Sequence, residues 1–115
     1  MELSERIVGD VAIVAITGKV VAHRGETRLT DKVNSLKHQG YTRIVIDLGE
    51  VTYMDSSGLG ELIQAYTTIR KAGGALKLMR VETRLRDLLT ITKLVTVFET
   101  FDGESEALAS FEAAA

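Results

Sequence analysis

The chain contains no cysteine and no proline. Without cysteine it has no disulfide, no thiolate metal ligand and no thiol nucleophile, so nothing in the sequence requires an oxidising compartment. Because proline is absent, glycines mark the breaks between the periodic segments. We therefore expect an intracellular, cytoplasmic protein whose turns can be located from its glycines.

A strong charge of one sign is also missing. Fourteen Lys and Arg residues face sixteen Asp and Glu residues, and tryptophan is absent. Nucleic-acid binding needs clustered cations and often uses stacking aromatic side chains. The sequence therefore predicts no nucleic-acid partner.

Long hydrophobic runs and metal-ligand clusters are lacking as well. No apolar run approaches the ~20 residues that cross a bilayer, and the N-terminus is acidic where a signal peptide is basic. The two histidines, His23 and His38, lack the spacing of a transition-metal site. We expect no membrane partner, no metal and no cofactor.

The 115 residues, of which 45% are hydrophobic, suit one compact domain over residues 1–115. Two β-rich runs around Gly9-Asp10 predict an opening antiparallel hairpin. After it, β-rich runs alternate with helical periodicities, which predicts an α/β domain with a mixed, mostly parallel β-sheet. The predicted strands after the hairpin are 44–48, 75–79 and 97–101, and the four predicted helices are 26–38, one from the segment after Asp55 to Gly73-Gly74, 83–91 and 104–115.

The periodic apolar positions of these elements predict the core of a monomeric chain. Asp47 is expected to end the central strand, near the corner where that strand leads into the second helix. The predicted core residues are Val14, Ile16, Val45, Ile46, Leu48, Leu62, Ile63, Tyr66, Leu76 and Leu78.

The corner between strand and helix, residues 54–60, concentrates small polar side chains. Asp55 or Ser56 suits the N-cap of the helix. A single cap would suffice, however, and the surplus of capping residues indicates a surface that a partner recognises. Gly58 and Gly60 each cost about 1 kcal/mol in a helix relative to alanine, so we expect something to approach closely there, either a partner or a neighbouring strand. The candidate partner-binding residues at this corner are Asp55, Ser56, Ser57, Gly58, Leu59 and Gly60.

Known enzyme motifs do not fit this corner. It matches neither the G-x-S-x-G of serine hydrolases nor a phosphate-binding loop or dinucleotide fingerprint. A triad of Ser56 or Ser57 with His23 and Asp47 stays open, because such groups can converge in space. Phosphorylation is an alternative use, since a phosphoserine at a helix N-terminus adds about −1.5 to −2 charges where a partner would dock. We expect a binding protein rather than an enzyme, with no catalytic residues.

Residues 51–60, VTYMDSSGLG, closely resemble the signature of the bacterial anti-sigma-factor antagonists, whose fold is called the STAS domain. The similarity continues in residues 16–18, 44–48, 72–76 and 88–98, and so covers nearly the full chain. In that family the first serine after the aspartate accepts phosphate, which makes Ser56 the candidate phosphoacceptor. The implied fold is a single STAS-like domain.

The resemblance implies a partner-switching function in transcription regulation. The unphosphorylated protein would bind an anti-sigma factor, itself a serine-protein kinase, and free the sigma factor. Phosphorylation would break that complex, and a PP2C-type phosphatase would restore it. The family's docking surface also includes the loop after the early strand, which adds Lys19 and His23 to the partner-binding candidates.

That loop departs from the family pattern. Many relatives read Glu-Leu-Asp where this chain has Lys19-Val20-Val21. The change indicates a different cognate kinase or another branch of the family. The alternative function is therefore a STAS scaffold, or an accessory subunit of a larger regulatory or transport assembly, that is never phosphorylated.

Overall fold

A computed structural model describes residues 2–21 and 29–112 of the chain. Within these residues the strands and helices alternate as the sequence predicts. They are β1 (Glu2–Val8), β2 (Val11–Val20), α1 (Leu29–His38), β3 (Arg43–Met54), α2 (Ser56–Lys71), β4 (Ala75–Met79), α3 (Thr83–Ile91), a 3₁₀ turn (Leu94–Thr96), β5 (Thr100–Phe101) and α4 (Glu104–Glu112).

The five strands form one mixed sheet in the order β1-β2-β3-β4-β5. β1 and β2 are antiparallel and joined at Gly9-Asp10, where Gly9 has a φ of +63°. All other neighbouring strands are parallel. The structure therefore confirms the α/β class and the N-terminal hairpin.

Helices cover both faces of this sheet. Ile44 and Ile46 belong to the larger core cluster, which includes buried residues of α1, α2 and α3. Val45 points to the other face, where it packs in a smaller cluster with Ala107 and Phe111 of α4. Because successive side chains alternate between faces, β3 is buried on both sides. This is the central strand that its continuous apolar run predicts.

Two of the predicted strand boundaries are wrong. β3 continues to Met54, six residues beyond the predicted end, because four of its last five residues still pair with β2. The last strand is shorter than 97–101, since the N–H groups of Val97 and Phe98 donate to the Leu94 carbonyl in a turn and not to a strand. The predicted residues 26–28 of the first helix and 113–115 of the last lie outside the described residues.

One predicted core residue is not buried. Ile63 is 37% exposed, whereas Leu62 is fully buried. Each helical residue advances about 100°, so Ile63 lies roughly 120° from the centre of the buried face of α2. Tyr66 lies nearer that centre and is half-buried, and its ring meets Phe98 edge to face at 5.1 Å between centroids. The other predicted core residues are buried.

The start of α4 is held to β1 by an ion pair. Arg6 Nη1 donates to Glu104 Oε2 at 3.2 Å, and a second bond joins Nη2 to Oε1. This hydrogen bonding from Arg6 lowers the pKa of Glu104 from its ordinary 4.5. The contribution of the pair to stability is therefore complete above the ordinary pKa and is lost as the pH falls through the lowered one.

We expect the difference in melting temperature between the wild type and Glu104→Gln to be largest near neutral pH and to shrink as the pH falls through the lowered pKa of Glu104. Thermal unfolding followed by circular dichroism over that range measures it. Glu106→Gln is the matched control, because Glu106 shares the first turn of α4 and the same helix-dipole effect. A difference for Glu104→Gln that stays constant with pH would contradict the prediction.

Candidate functional site

The corner between β3 and α2 is capped by Asp55. Its backbone is extended, with φ −100° and ψ −172°, and its Oδ1 accepts a hydrogen bond from the Gly58 N–H at 2.9 Å. This is a standard N-cap bond, which satisfies a backbone N–H left free at the helix start. Of the two capping candidates, Asp55 therefore makes the side-chain cap, and α2 begins at Ser56.

Ser56 and Ser57 lie exposed in the first turn of α2. Ser56 and Gly60 are one turn apart and thus on the same side of the helix. Helical side chains lean towards the N-terminus, and a Cβ at position 60 would meet none of the described residues within 4 Å. Gly60 therefore leaves the space beside the Ser56 side chain open to solvent.

Gly58 has the opposite environment. A Cβ on Gly58 would lie 2.0 Å from the carbonyl oxygen of Val20, so the glycine allows α2 to press against the end of β2. The same carbonyl accepts a hydrogen bond from the Asp55 N–H at 3.3 Å. The close approach at Gly58 is therefore made by a strand of this chain, which is one of the two alternatives that the sequence left open.

The predicted partner-binding residues separate into exposed and buried positions. Ser56, Ser57, Gly60 and Lys19 are exposed, and Asp55 is half-buried. Gly58 and Leu59 are buried. Gly58 lies against the Val20 carbonyl, and Leu59 packs into the main core cluster. Neither residue therefore presents a side chain to a partner. His23 lies outside the described residues.

The expectation that Lys19 lies in a loop after the early strand is wrong, because β2 continues to Val20 and brings Lys19 to this corner as a strand residue. Lys19 pairs in register with Tyr53, after an irregularity in the ladder between Gly18 and Lys19. The Tyr53 side chain is 54% exposed, a large apolar surface that the sequence analysis did not single out. Its position two residues before the Asp55 cap is the signal that could have identified it. Val20, part of the same departure from the family pattern, is fully buried.

A groove adjoins the corner on the side of α3. β3 pairs with β4 only as far as Asp47, opposite Met79, and the pairs that it makes beyond Asp47 are with β2 alone. The first turns of α3 lie beside this free part of β3 and leave a groove of about 260 Å³. Its lining consists of Leu48, Val51, Thr52, Tyr53 and Met54 of β3, together with Glu82, Arg84, Leu85 and Leu88.

Asp47 lies where β3 leaves β4, and not at the end of the strand. Its carboxylate accepts hydrogen bonds from Arg80 Nε at 2.9 Å and Nη2 at 2.7 Å, and from the Gly49 N–H at 3.0 Å. Hydrogen bonding to Asp47 raises the pKa of Arg80. The expectation that Asp47 ends the central strand is thus wrong, because the strand runs seven residues further, to Met54 at the corner.

This pairing also gives no support to a catalytic triad. The aspartate of a triad accepts a hydrogen bond from the histidine, whereas the described donors to Asp47 are Arg80 and Gly49. Within residues 2–21 and 29–112, no group of His, Asp or Glu side chains is arranged to hold a metal ion. In the same residues, every helix is too short or too polar to cross a bilayer.

The fold and the corner define a class of protein: a small α/β domain with a mixed sheet that exposes serines at the N-terminus of its longest described helix. The model of the STAS domain family matches residues 3–107. The chain therefore belongs to the STAS domain family.

The chain is similar to proteins that are named as antagonists of anti-sigma factors. The chain is 35% identical over 86 residues to an anti-sigma-B factor antagonist of Bacillus subtilis, covering 75% of this chain and 77% of the relative. It is 28% identical over 102 residues to an anti-sigma F factor antagonist of Paenibacillus polymyxa, with coverage of 89% and 87%. These relatives are named as regulatory proteins rather than as enzymes.

A solved structure shows the same fold. The Bacillus cell fate determinant SpoIIAA in its phosphorylated form superposes with a TM-score of 0.74 at 20% identity, covering 96% of this chain and 99% of SpoIIAA. The mixed sheet and helices described above are thus a STAS fold.

Proposed function

We propose that this protein is an anti-sigma-factor antagonist switched by phosphorylation of Ser56. Unphosphorylated, it binds an anti-sigma factor that is a serine-protein kinase, and the sigma factor is released. The observation that carries the proposal is Ser56, exposed on the first turn of α2 beside a cap that does not use it. The regulatory names of the relatives support the same function.

Phosphorylation needs no structural change in this chain. The Ser56 Oγ forms a bond to the γ-phosphorus of ATP held by the kinase, ADP leaves, and the hydroxyl proton passes to a base of the kinase. A negative charge at a helix N-terminus is favourable. The Asp55 carboxylate keeps its bond to Gly58. The phosphate thus changes the charge of the docking surface while the fold persists.

The remaining partners follow from this cycle. A PP2C-type phosphatase removes the phosphate and restores binding. In this proposal residues 1–115 act as one domain, monomeric when free and located in the cytoplasm. The protein is not an enzyme, takes no cofactor, and contacts neither nucleic acid nor a membrane.

The test is to map the phosphate. Wild type, Ser56→Ala and Ser57→Ala are incubated with ATP and purified candidate anti-sigma-factor kinases from the same genome, followed by intact and peptide mass spectrometry. We expect one phosphate, on Ser56, in the wild type and in Ser57→Ala, and none in Ser56→Ala.

Two outcomes would contradict this assignment. Phosphate on Ser57 would show that Ser57, and not Ser56, is the phosphoacceptor. A stable complex without phosphate on either serine would favour the scaffold function, in which the same fold joins a larger assembly and is never modified.

A further inference from the structure

We propose that the groove between the end of β3 and α3 receives one bulky apolar side chain of the kinase while the kinase engages Ser56. This inference rests on the proposed function and extends its docking surface beyond the corner. It assigns a role to Thr52, Tyr53 and the start of α3.

The groove lies close enough to Ser56 for a kinase that is centred on this serine to reach it. Its lining residues Thr52–Met54 precede Ser56 by two to four positions, and four residues of chain span at most about 14 Å. A standard interface buries about 800 Å² on each partner, a disc of roughly 16 Å radius. A kinase centred on Ser56 therefore covers the near wall of the groove.

The size and chemistry of the groove select the occupant. Its volume of about 260 Å³ is below the ~300–1,000 Å³ of typical small-molecule sites. Val51 and Leu85 are buried, and Leu88 and Met54 are half-buried, which gives an apolar lining. Among the described residues, the charged groups in its lining are Glu82 and Arg84, and both of these are exposed. An apolar pocket bordered by polar groups is the arrangement that holds an anchoring side chain in a protein interface.

The groove is also held in shape before binding. Asp47 and Arg80 join β3 to the segment that leads into α3, at the point where β3 and β4 separate. Arg80 has a φ of +56°, uncommon for a residue with a side chain. A Cβ on Gly49 would lie 2.7 Å from the Arg80 guanidinium. A preformed pocket loses less entropy on binding.

Filling the groove tests the proposal. Thr52 lines the groove and is exposed on a strand, where an aromatic side chain is well tolerated. We expect Thr52→Trp to weaken binding of the kinase identified above by about tenfold or more, measured by calorimetry with unphosphorylated protein. Thr90→Trp is the matched control, because Thr90 is exposed on α3 and is not among the groove-lining residues.

A second measurement avoids any variant. In a methyl-labelled sample of the wild type, kinase binding should shift the signals of Leu85, Leu88 and Met54. If these signals do not move, or if Thr52→Trp binds as tightly as Thr90→Trp, the groove proposal is overturned and the switch at Ser56 stands. If the wild type binds none of the kinases, the proposed function fails and the groove proposal fails with it.

Discussion

Gly58→Ala should lower the free energy of unfolding by about 3 kcal/mol or more, the largest stability effect that we expect at the corner. The added Cβ would lie 2.0 Å from the Val20 carbonyl oxygen, a backbone atom that cannot rotate away. Either α2 or β2 must shift, and overpacking of this kind costs about 1–3 kcal/mol, sometimes more. The Asp55 bond to Val20 would be disturbed as well.

Urea unfolding measures this effect, and Gly60→Ala is the control because both glycines lie in the first turns of α2. Gly60 is exposed, and a Cβ there has no neighbour within 4 Å in the part of the chain that the structure describes. Gly60→Ala should therefore stabilise the protein by up to about 1 kcal/mol, the difference in helix propensity. Equal effects of the two substitutions would show that α2 does not press on β2 in solution.

A negative side chain at position 56 should abolish most kinase binding. We expect Ser56→Ala to bind like the unmodified wild type, because it removes one hydroxyl. Ser56→Glu should bind about 100-fold more weakly, since a charge that is buried in an interface without a partner costs several kcal/mol. A glutamate carries less charge than a phosphate, so phosphorylated wild type should bind more weakly still. Calorimetry with the purified kinase measures all four proteins.

Ser57→Glu is the control for that experiment. Ser57 is exposed in the same helical turn, so its substitution brings the same charge to the same helix N-terminus. Both glutamate variants should keep or raise the melting temperature, because an acidic residue is favourable at that position. If Ser57→Glu weakens binding as much as Ser56→Glu, the kinase responds to the overall charge at the helix N-terminus, and binding does not depend on position 56 in particular.

Local sequence patterns predicted most of the elements because their periodicity is strong. The hairpin at Gly9-Asp10, the central run of β3 and the helices could be identified from spacing alone. The extension of β3 could not, because Gly49-Glu50 resembles a loop and its strand conformation depends on pairing with distant β2 residues. The prediction that Ile63 is buried was wrong for a similar reason. The helical periodicity shows which side of α2 faces the core, but the width of the buried face depends on what packs against it.

The sequence located the corner residues but could not show which of them are buried and which are exposed. Two glycines in one helical turn have identical local signals, yet Gly58 is pressed against β2 and Gly60 faces solvent. The groove has no signature in any one segment, because it forms where β3 leaves β4 and α3 lies alongside. Both features are tertiary contacts between segments far apart in the chain.

The residue that caps α2, Asp55, is not the residue that we propose to be phosphorylated, Ser56. Because the carboxylate of Asp55 makes the side-chain cap of α2, that cap does not depend on the side chain of residue 56. Mutations there can create, silence or permanently mimic the modified state without the stability cost that usually removes variants. Under the proposed function, a lineage can therefore lose its kinase, or gain a new one, and inherit an intact domain in either case.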